Sequence, residues 1–206
     1  VFTHVWPLRN WLANQVMDKH RIIVHMDSDA FPVKENWLQV YTTKLSWTCP
    51  VVAVQCREEG ETHSNRCFLM YNRQGLKTHR FDFTKVAARD AGGAISQYLE
   101  TNGFQWHPLL RSNGYNYHPV LSGIYDDCIY HHGAGSRTPV LRANLEKRFD
   151  SNAISQEFAI HRILRDRLFN NPEQFLQELR GQLPPADLRD VIKQSMHDHP
   201  VKASTK

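Results

Sequence analysis

Two carboxylates stand close together directly after a short apolar run. Residues 22–26 read Ile-Ile-Val-His-Met, and Asp27 and Asp29 follow with only Ser28 between them. Mg²⁺ and Mn²⁺ prefer oxygen ligands, often one or two carboxylates with the remaining ligands from water and phosphate. An ion held here would bridge to a diphosphate and neutralise its charge as it leaves. We therefore predict a divalent-metal and diphosphate site at Asp27 and Asp29, the alternative being solvated loop acids with Asp29 as a turn former before Pro32.

A second segment combines paired histidines, glycines and an arginine. Residues 130–137 read Tyr-His-His-Gly-Ala-Gly-Ser-Arg. Neutral imidazole is a common metal ligand, so His131 and His132 are candidates for the metal site. The glycines let backbone N–H groups approach an anion closely, and Arg137 could form a forked pair with a phosphate. The alternative is a glycine-rich turn with surface histidines, in a chain that holds 12 histidines.

The third segment is Asp90, which stands where a helix begins and is followed by Gly92 and Gly93. An aspartate at this position is a common helix cap. Its functional interpretation is a general base that removes a proton from an acceptor hydroxyl. Because glycines are poor helix formers, their presence in the first turn indicates that something packs closely there.

These residues need a scaffold, and the pattern of the chain predicts alternating strands and helices. The predicted strands are 21–26, 50–55, 67–71, 104–109, 123–125 and 128–130. The predicted helices are 7–20 with an apolar stripe at Leu8, Leu12 and Val16, about 34–45, one from Asp90 that stops at Gly103, and the chain from about 142 onward, where Asn171-Pro172 opens a further helix.

This alternation predicts an α/β fold with a mixed, mostly parallel sheet flanked by helices. In such sheets, ligands bind beyond the carboxyl ends of the strands, where Asp27 and Asp29 lie. We predict a catalytic domain at residues 1–140 and a carboxy-terminal helical extension at 141–206.

The bulk composition fits such a domain and narrows its partners. The chain has 206 residues, 41% of them hydrophobic, with a net charge of +4. This mild, dispersed positive charge suits an anionic ligand, and it does not indicate nucleic acid as a partner. No apolar run approaches the ~20 residues of a membrane-spanning helix, no signal peptide is evident, and none of the four cysteines forms a C-x-x-C pair. We therefore expect a reducing, cytoplasmic setting, with room for peripheral association at the inner face of the membrane.

The three segments together resemble those of bacterial family-2-like glycosyltransferases, which have the GT-A nucleotide-sugar fold. The stretch Asp27–Pro32 is similar to their D-x-D loop, which reads aspartate, serine, aspartate, alanine, an aromatic residue and proline. Residues Asp90–Leu99 resemble their D-x-G-G helix, and His131–Arg137 resembles their closing H-H-x-x-G-S-R segment. The order and rough spacing of the segments also match, over about residues 7–140.

The resemblance implies a metal-dependent enzyme of polysaccharide biosynthesis. Such an enzyme moves a sugar from a nucleotide-diphosphate donor to a hydroxyl of a saccharide or lipid-linked saccharide acceptor, with Mn²⁺ or Mg²⁺ as cofactor. Asp90 would be the catalytic base, although Arg89 precedes it where related enzymes usually carry an acidic pair. The other implied site residues are Asp27, Ser28, Asp29, Ser136 and Arg137 on the nucleotide diphosphate, and Asp27, Asp29 and one of His131 and His132 on the metal.

The chain also departs from that family. The resembled fold begins with a strand, a helix and a strand that hold the nucleotide base, whereas only 26 residues precede Asp27 here. We therefore expect either an amino-terminal truncation or a different way of holding the base.

Three other functions stay open. The stretch His25–Phe31 resembles the opening strand of Y-family DNA polymerases, although the later serine-acid pair and lysine-rich helix of that family are missing. A phosphatase of the haloacid dehalogenase type could use Asp27 as nucleophile and Asp126-Asp127 as a late acidic pair. Its expected threonine or valine after the D-x-D is missing, however. A non-catalytic binding module that keeps the fold is the third.

Overall fold

The computed structural model describes residues 6–17, 19–56, 63–76, 93–118, 121–133 and 151–188. Its helices are α1 (Trp6–Met17), α2 (Trp37–Lys44), α3 (Gly93–Thr101), α4 (Ser151–Asn170) and α5 (Pro172–Leu179), with a 3-10 turn at Arg73–Leu76. Its strands are β1 (Ile22–Met26), β2 (Ala30–Pro32), β3 (Val51–Cys56), β4 (His63–Asn72), β5 (Trp106–Leu109), β6 (Gly123–Tyr125) and β7 (Ile129–His131). No helix in these ranges is long and apolar enough to span a bilayer.

The chain divides into two compact units that interleave along the sequence. The first comprises Val1–Arg111 and Tyr125–His131, and the second comprises Ser112–Ile124 and His132–Lys206. The predicted boundary at residue 140 falls among residues 134–150, which the structure does not describe, so it stays a prediction. The sequence did not indicate that the segment at 112–124 belongs with the carboxy-terminal helices.

The main sheet of the first unit confirms the predicted α/β class, but its strands are not mostly parallel. The strand order is β1-β4-β3-β5, in which β1–β4 and β3–β4 are antiparallel and only β3–β5 is parallel. The expectation of a mostly parallel sheet was wrong because only six residues, 57–62, connect β3 to β4. A parallel pair needs a crossover of a dozen residues or more. Strands β1, β3 and β5 still run in one direction, so their carboxyl ends lie at the same end of the sheet.

The central strands carry the core of this unit. The side chains of Val51–Val54 on β3 and of Phe68–Tyr71 on β4 are at most 1% exposed. Each of these strands has a neighbouring strand on both sides and an apolar cluster on both faces, which explains their uninterrupted apolar sequences. Among the described residues, a second sheet consists of three short strands in the order β2-β7-β6.

Helix α3 ends as its sequence predicts. Gly103 has a φ of +69°, a conformation that costs glycine little. Its N–H donates to the carbonyl of Glu100, and the N–H of Phe104 donates to the carbonyl of Leu99. These are the two hydrogen bonds of a Schellman cap, and the ring of Phe104 stacks on Tyr98, as is common beside such a cap.

Helix α1 differs from its prediction in the direction of its apolar face. Ala13 packs against the core cluster of the sheet, whereas Leu12 and Val16 are 51% and 37% exposed. Trp11, beside Leu12, is 58% exposed. The helix therefore places a small side chain inward and large apolar side chains outward, which is the reverse of an ordinary surface helix.

In the second unit, α4 and α5 pack with the segment at 112–124 around a buried carboxylate. Glu178 is 1% exposed and accepts hydrogen bonds from Tyr117, from Gln174 and from Arg167. Burial alone raises the pKa of Glu178, but these three donors outweigh burial and hold its pKa below the usual value. The Tyr117 oxygen in turn accepts the N–H of Ala186, so this cluster ties the segment to both helices and to the chain that follows them.

Candidate metal centre

The two aspartates sit on a tight turn that joins β1 to β2. The Asp27 N–H donates to the Cys67 carbonyl at 2.9 Å, which continues the β1–β4 ladder by one residue. The Ala30 N–H then donates to the Asp27 carbonyl at 3.1 Å and closes a four-residue turn. Ser28 is exposed at this turn, while the carboxylates on either side of it are partly buried. The turn is the reason why two acids separated by one residue stay close together.

Strand pairing brings a distant histidine to the same place. In the antiparallel pair β2–β7, Ala30 lies opposite His131. Asp29 directly precedes Ala30, and His131 Nε2 lies 3.6 Å from Asp29 Oδ1. One ligand atom each from Asp27, Asp29 and His131 lie within 4.8 Å of one another. The predicted grouping of both aspartates with one of the two histidines is thus present in the described chain.

The spacing and chemistry of these three atoms suit a divalent cation. Ligands about 2.1 Å from one ion lie within about 4.2 Å of each other. A spread of 4.8 Å therefore closes onto an ion after side-chain movements of a few tenths of an ångström. Two carboxylate oxygens and one imidazole nitrogen fit Mn²⁺ well, because it accepts both ligand types, whereas Mg²⁺ favours oxygen alone. All three side chains are partly exposed, which leaves room for water or phosphate oxygens as further ligands.

A second imidazole flanks the site. His25 Nε2 lies 3.6 Å from Asp27 Oδ1, so each of the two carboxylates has a histidine nitrogen at the same distance. Residues two apart on a strand share a face, which places His25 on the same side as Asp27. Sequence reasoning missed His25, although its position two residues before Asp27 was the available signal.

His132 is not in this group. Among the residues that the structure describes, its ring packs edge-on against His161 with the ring centroids 4.6 Å apart, and it is 5% exposed. Its carbonyl accepts the N–H of Ser122. Successive side chains along an extended chain point to opposite sides, so His131 and His132 cannot both face the aspartates. Of the two histidines, only His131 lies beside the aspartates, so the expectation that His132 is a metal ligand is not supported by its position.

Three predicted site residues lie outside the described residues: Asp90, Ser136 and Arg137. Their roles stay predictions. The helix that Asp90 was expected to open is present as α3, and its first described residue, Gly93, is buried.

The acidic pair Asp126-Asp127 has a structural explanation. Both residues have positive φ, 52° and 53°, and the Cys128 N–H donates to the Tyr125 carbonyl at 3.0 Å. These features define a type I′ turn between β6 and β7, in which aspartate is one of the tolerated residues. Lys44 Nζ lies 3.0 Å from Asp126 Oδ2, so this carboxylate neutralises a lysine.

A histidine completes the contacts of that lysine. Lys44 Nζ lies 3.0 Å from His107 Nε2. Burial first, and the neighbouring ammonium second, hold the pKa of His107 below its usual value, which keeps the imidazole neutral as an acceptor. The cluster ties the end of α2 to β5 and to the β6–β7 turn.

No protein-family model, no curated protein sequence and no solved structure matches the chain. The chemistry of Asp27, Asp29 and His131 and their place in the fold are therefore the features that indicate a function.

Proposed function

We propose that this chain is a metal-dependent glycosyltransferase that uses a nucleotide-diphosphate sugar as donor. The observation that carries the proposal is the convergence of Asp27, Asp29 and His131, with ligand atoms within 4.8 Å of one another. Two of these residues come from the D-x-D segment and the third from the H-H-x-x-G-S-R segment. Asp29 and His131 are 102 residues apart along the chain (131 minus 29). Their convergence therefore supports the resemblance of both segments, taken together, to those of glycosyltransferases.

The position of the site supports the same reading. Asp27 follows β1 at the end of the sheet where the carboxyl ends of β1, β3 and β5 lie. Ligands of α/β sheets bind beyond the carboxyl ends of the strands. A mixed sheet flanked by helices with a metal site there is compatible with the GT-A fold that the resemblance implies, and we propose that fold for the first unit.

Each residue then has a stated role. Asp27, Asp29 and His131 would hold Mn²⁺ or Mg²⁺, and the donor set favours Mn²⁺. The bound ion supplies positive charge where the diphosphate leaves. Ser28 is exposed at the turn, within the same loop, and its hydroxyl is available to a donor oxygen.

The remaining roles extend the proposal along the motifs. Asp90 would accept the proton of the attacking hydroxyl, while Ser136 and Arg137 would contact the diphosphate. The acceptor would be a saccharide or a lipid-linked saccharide, and the reaction a step of polysaccharide biosynthesis. We propose a cytoplasmic site of action, with contact to the inner face of the membrane where a lipid-linked acceptor requires it.

The test is thermal stabilisation by a panel of nucleoside diphosphates, with and without Mn²⁺. A ligand at a hundred times its dissociation constant stabilises the folded state by about 2.7 kcal/mol. For a chain of this size that corresponds to a rise in melting temperature of roughly 5–10 °C. We expect this rise only when nucleotide and Mn²⁺ are present together, and we expect Asp29→Ala to lose it. Asp166→Ala removes an exposed aspartate that is not part of the metal group and should keep it.

Turnover decides between the alternatives. Release of nucleoside diphosphate from donor and acceptor supports transfer. Donor binding without turnover points to a binding module that keeps the fold, and phosphate trapped covalently on Asp27 points to a phosphatase. If Mn²⁺ and nucleotide together do not stabilise this chain, and it turns over no sugar nucleotide, the glycosyltransferase assignment is wrong.

A further inference from the structure

Strand β1 lies at an edge of the main sheet in the part of the chain that the structure describes. Its sequence, Ile-Ile-Val-His-Met, contains no lysine, proline or acidic residue. All five of its residues are partly exposed, whereas the neighbouring strand β4 is fully buried from Cys67 to Tyr71. Exposed sheet edges normally carry charges, prolines or bulges that prevent pairing with another strand. This edge has none of these protections.

The hydrogen bonds to β4 show which backbone groups of β1 face outward. Arg21 accepts from Arg73, and Asp27 donates to Cys67. Hydrogen-bonded pairs alternate along an antiparallel ladder, so residues 21, 23, 25 and 27 direct their N–H and C=O groups toward β4. Ile22, Val24 and Met26 therefore direct three N–H and three C=O groups away from the sheet.

This outward set is self-complementary about Val24. In an antiparallel pairing of two β1 strands with a two-fold axis at Val24, Val24 faces its own counterpart and Ile22 faces Met26 of the other copy. All three outward residues of each copy then stand in hydrogen-bonded pairs, so every outward N–H and C=O finds a partner. The side chains that meet are apolar on both strands, and no like charges oppose each other.

Helix α1 supplies apolar surface on one side of the same sheet. Ala13 of α1 and Ile23 of β1 pack against the same core cluster, so α1 lies on the face to which Ile23 points. Its outward side carries Trp11, Leu12 and Val16. A two-fold axis through an antiparallel pair stands perpendicular to the sheet, and it keeps the α1 helices of both copies on one face of the joined sheet.

We propose that two copies of this chain associate through β1, in antiparallel register about Val24, with the α1 helices of both copies on the same face of the joined sheet. The contact is isologous, because the same residues serve both copies, and it closes after two chains. It converts two four-stranded sheets into one continuous sheet of eight strands and removes the exposed edge. This association is independent of the proposed glycosyl transfer.

The test is sedimentation equilibrium of the full chain over a wide range of concentration. The wild type should show a species of twice the chain mass of 24.0 kDa. Val24→Pro removes an outward N–H while leaving the β1–β4 ladder complete, a position where edge strands tolerate proline. It takes two hydrogen bonds from the dimer, so we expect its dissociation constant to rise about 30-fold or more. Val24→Thr keeps the N–H and the branched shape, and should dimerise as the wild type does.

A second variant repeats the test at another outward N–H and guards against misfolding. Ile22→Pro removes the outward N–H of Ile22 and should also weaken the dimer. Ile22→Thr keeps this N–H and is the matched control. Circular dichroism spectra should be the same for all variants. A wild type that stays monomeric, or a Val24→Pro protein that dimerises as tightly as Val24→Thr, would overturn the proposal.

Discussion

The adjacent histidines His131 and His132 at the end of β7 have different surroundings, and single substitutions can test this difference. His131 lies 3.6 Å from Asp29, whereas His132 packs against His161. Pairing of β2 with β7 is what selects the first of them, since it places His131 opposite Ala30.

We expect His131→Ala to weaken Mn²⁺ binding by at least about tenfold, because one of three protein ligands is lost. Titration of Mn²⁺ followed by electron paramagnetic resonance measures this directly. His132→Ala is the matched control, with less than a twofold change in Mn²⁺ affinity. Equal losses in the two variants would contradict the assignment of His131 as the ligand.

The sequence identified the candidate metal ligands but could not choose between the two histidines. The acidic pair was identifiable because an apolar strand precedes it, and strand ends place polar residues at one edge. The choice between the two histidines depends on the register of β2 against β7. β2 is three residues long and contains Pro32, so no periodicity could indicate it.

At the scale of elements, helix ends were the most predictable features. Asn171 caps α5 with its side-chain oxygen on the Gln174 N–H, and Pro172 occupies the first turn. Gly103 ends α3 in the left-handed conformation. Both depend on chemistry within a few residues of the chain. The outward face of α1 and the antiparallel β4 depend on neighbours far along the chain, so local patterns did not predict them.

The α3 cap predicts graded effects of substitution at Gly103. An added Cβ would meet no atom within 4 Å, so the cost is conformational only. We expect Gly103→Ala to lower the free energy of unfolding by about 1 kcal/mol and Gly103→Asn by less, because asparagine tolerates positive φ. Urea unfolding followed by circular dichroism measures both.

Gly114 is the contrasting case for the same measurement. A Cβ there would lie 2.5 Å from the carbonyl oxygen of Arg180, a backbone atom that cannot turn aside. Gly114→Ala should therefore destabilise the protein more than Gly103→Ala. The reverse order of unfolding midpoints would contradict the open surroundings of Gly103 or the close approach at Gly114.

For the molecule as a whole, the buried cluster around Glu178 predicts how stability depends on pH. The pKa of Glu178 is lowered by folding, so the unfolded chain binds its proton first as the pH falls. The contribution is complete above the ordinary glutamate pKa of about 4.3 and is lost as the pH drops through the lower folded value. At the alkaline end, burial and Glu178 raise the pKa of Tyr117 to about 12, so its contribution is complete below pH 10.0 and is lost as the pH rises toward 12.

We expect Glu178→Gln to lower the free energy of unfolding by about 2 kcal/mol at pH 7, since hydrogen bonds to a charged group are replaced by weaker ones. Its stability should also change less between pH 5 and pH 3 than that of the wild type. Tyr117→Phe should flatten the alkaline limb instead. Urea unfolding at each pH measures both, and parallel pH profiles for all three proteins would exclude this cluster as the cause.

The interleaving of the two units sets an order of events during synthesis. The first unit is complete once His131 has been made, so Asp27, Asp29 and His131 can meet while the rest of the chain is still being translated. The segment at 112–124 emerges earlier than α4 and α5, yet Gly114 and Tyr117 contact Arg180 and Glu178. The segment therefore lacks its contact with Glu178 until 54 further residues have been synthesised (178 minus 124). A chain that stops near residue 140 would therefore present a nascent loop with no carboxy-terminal half to receive it.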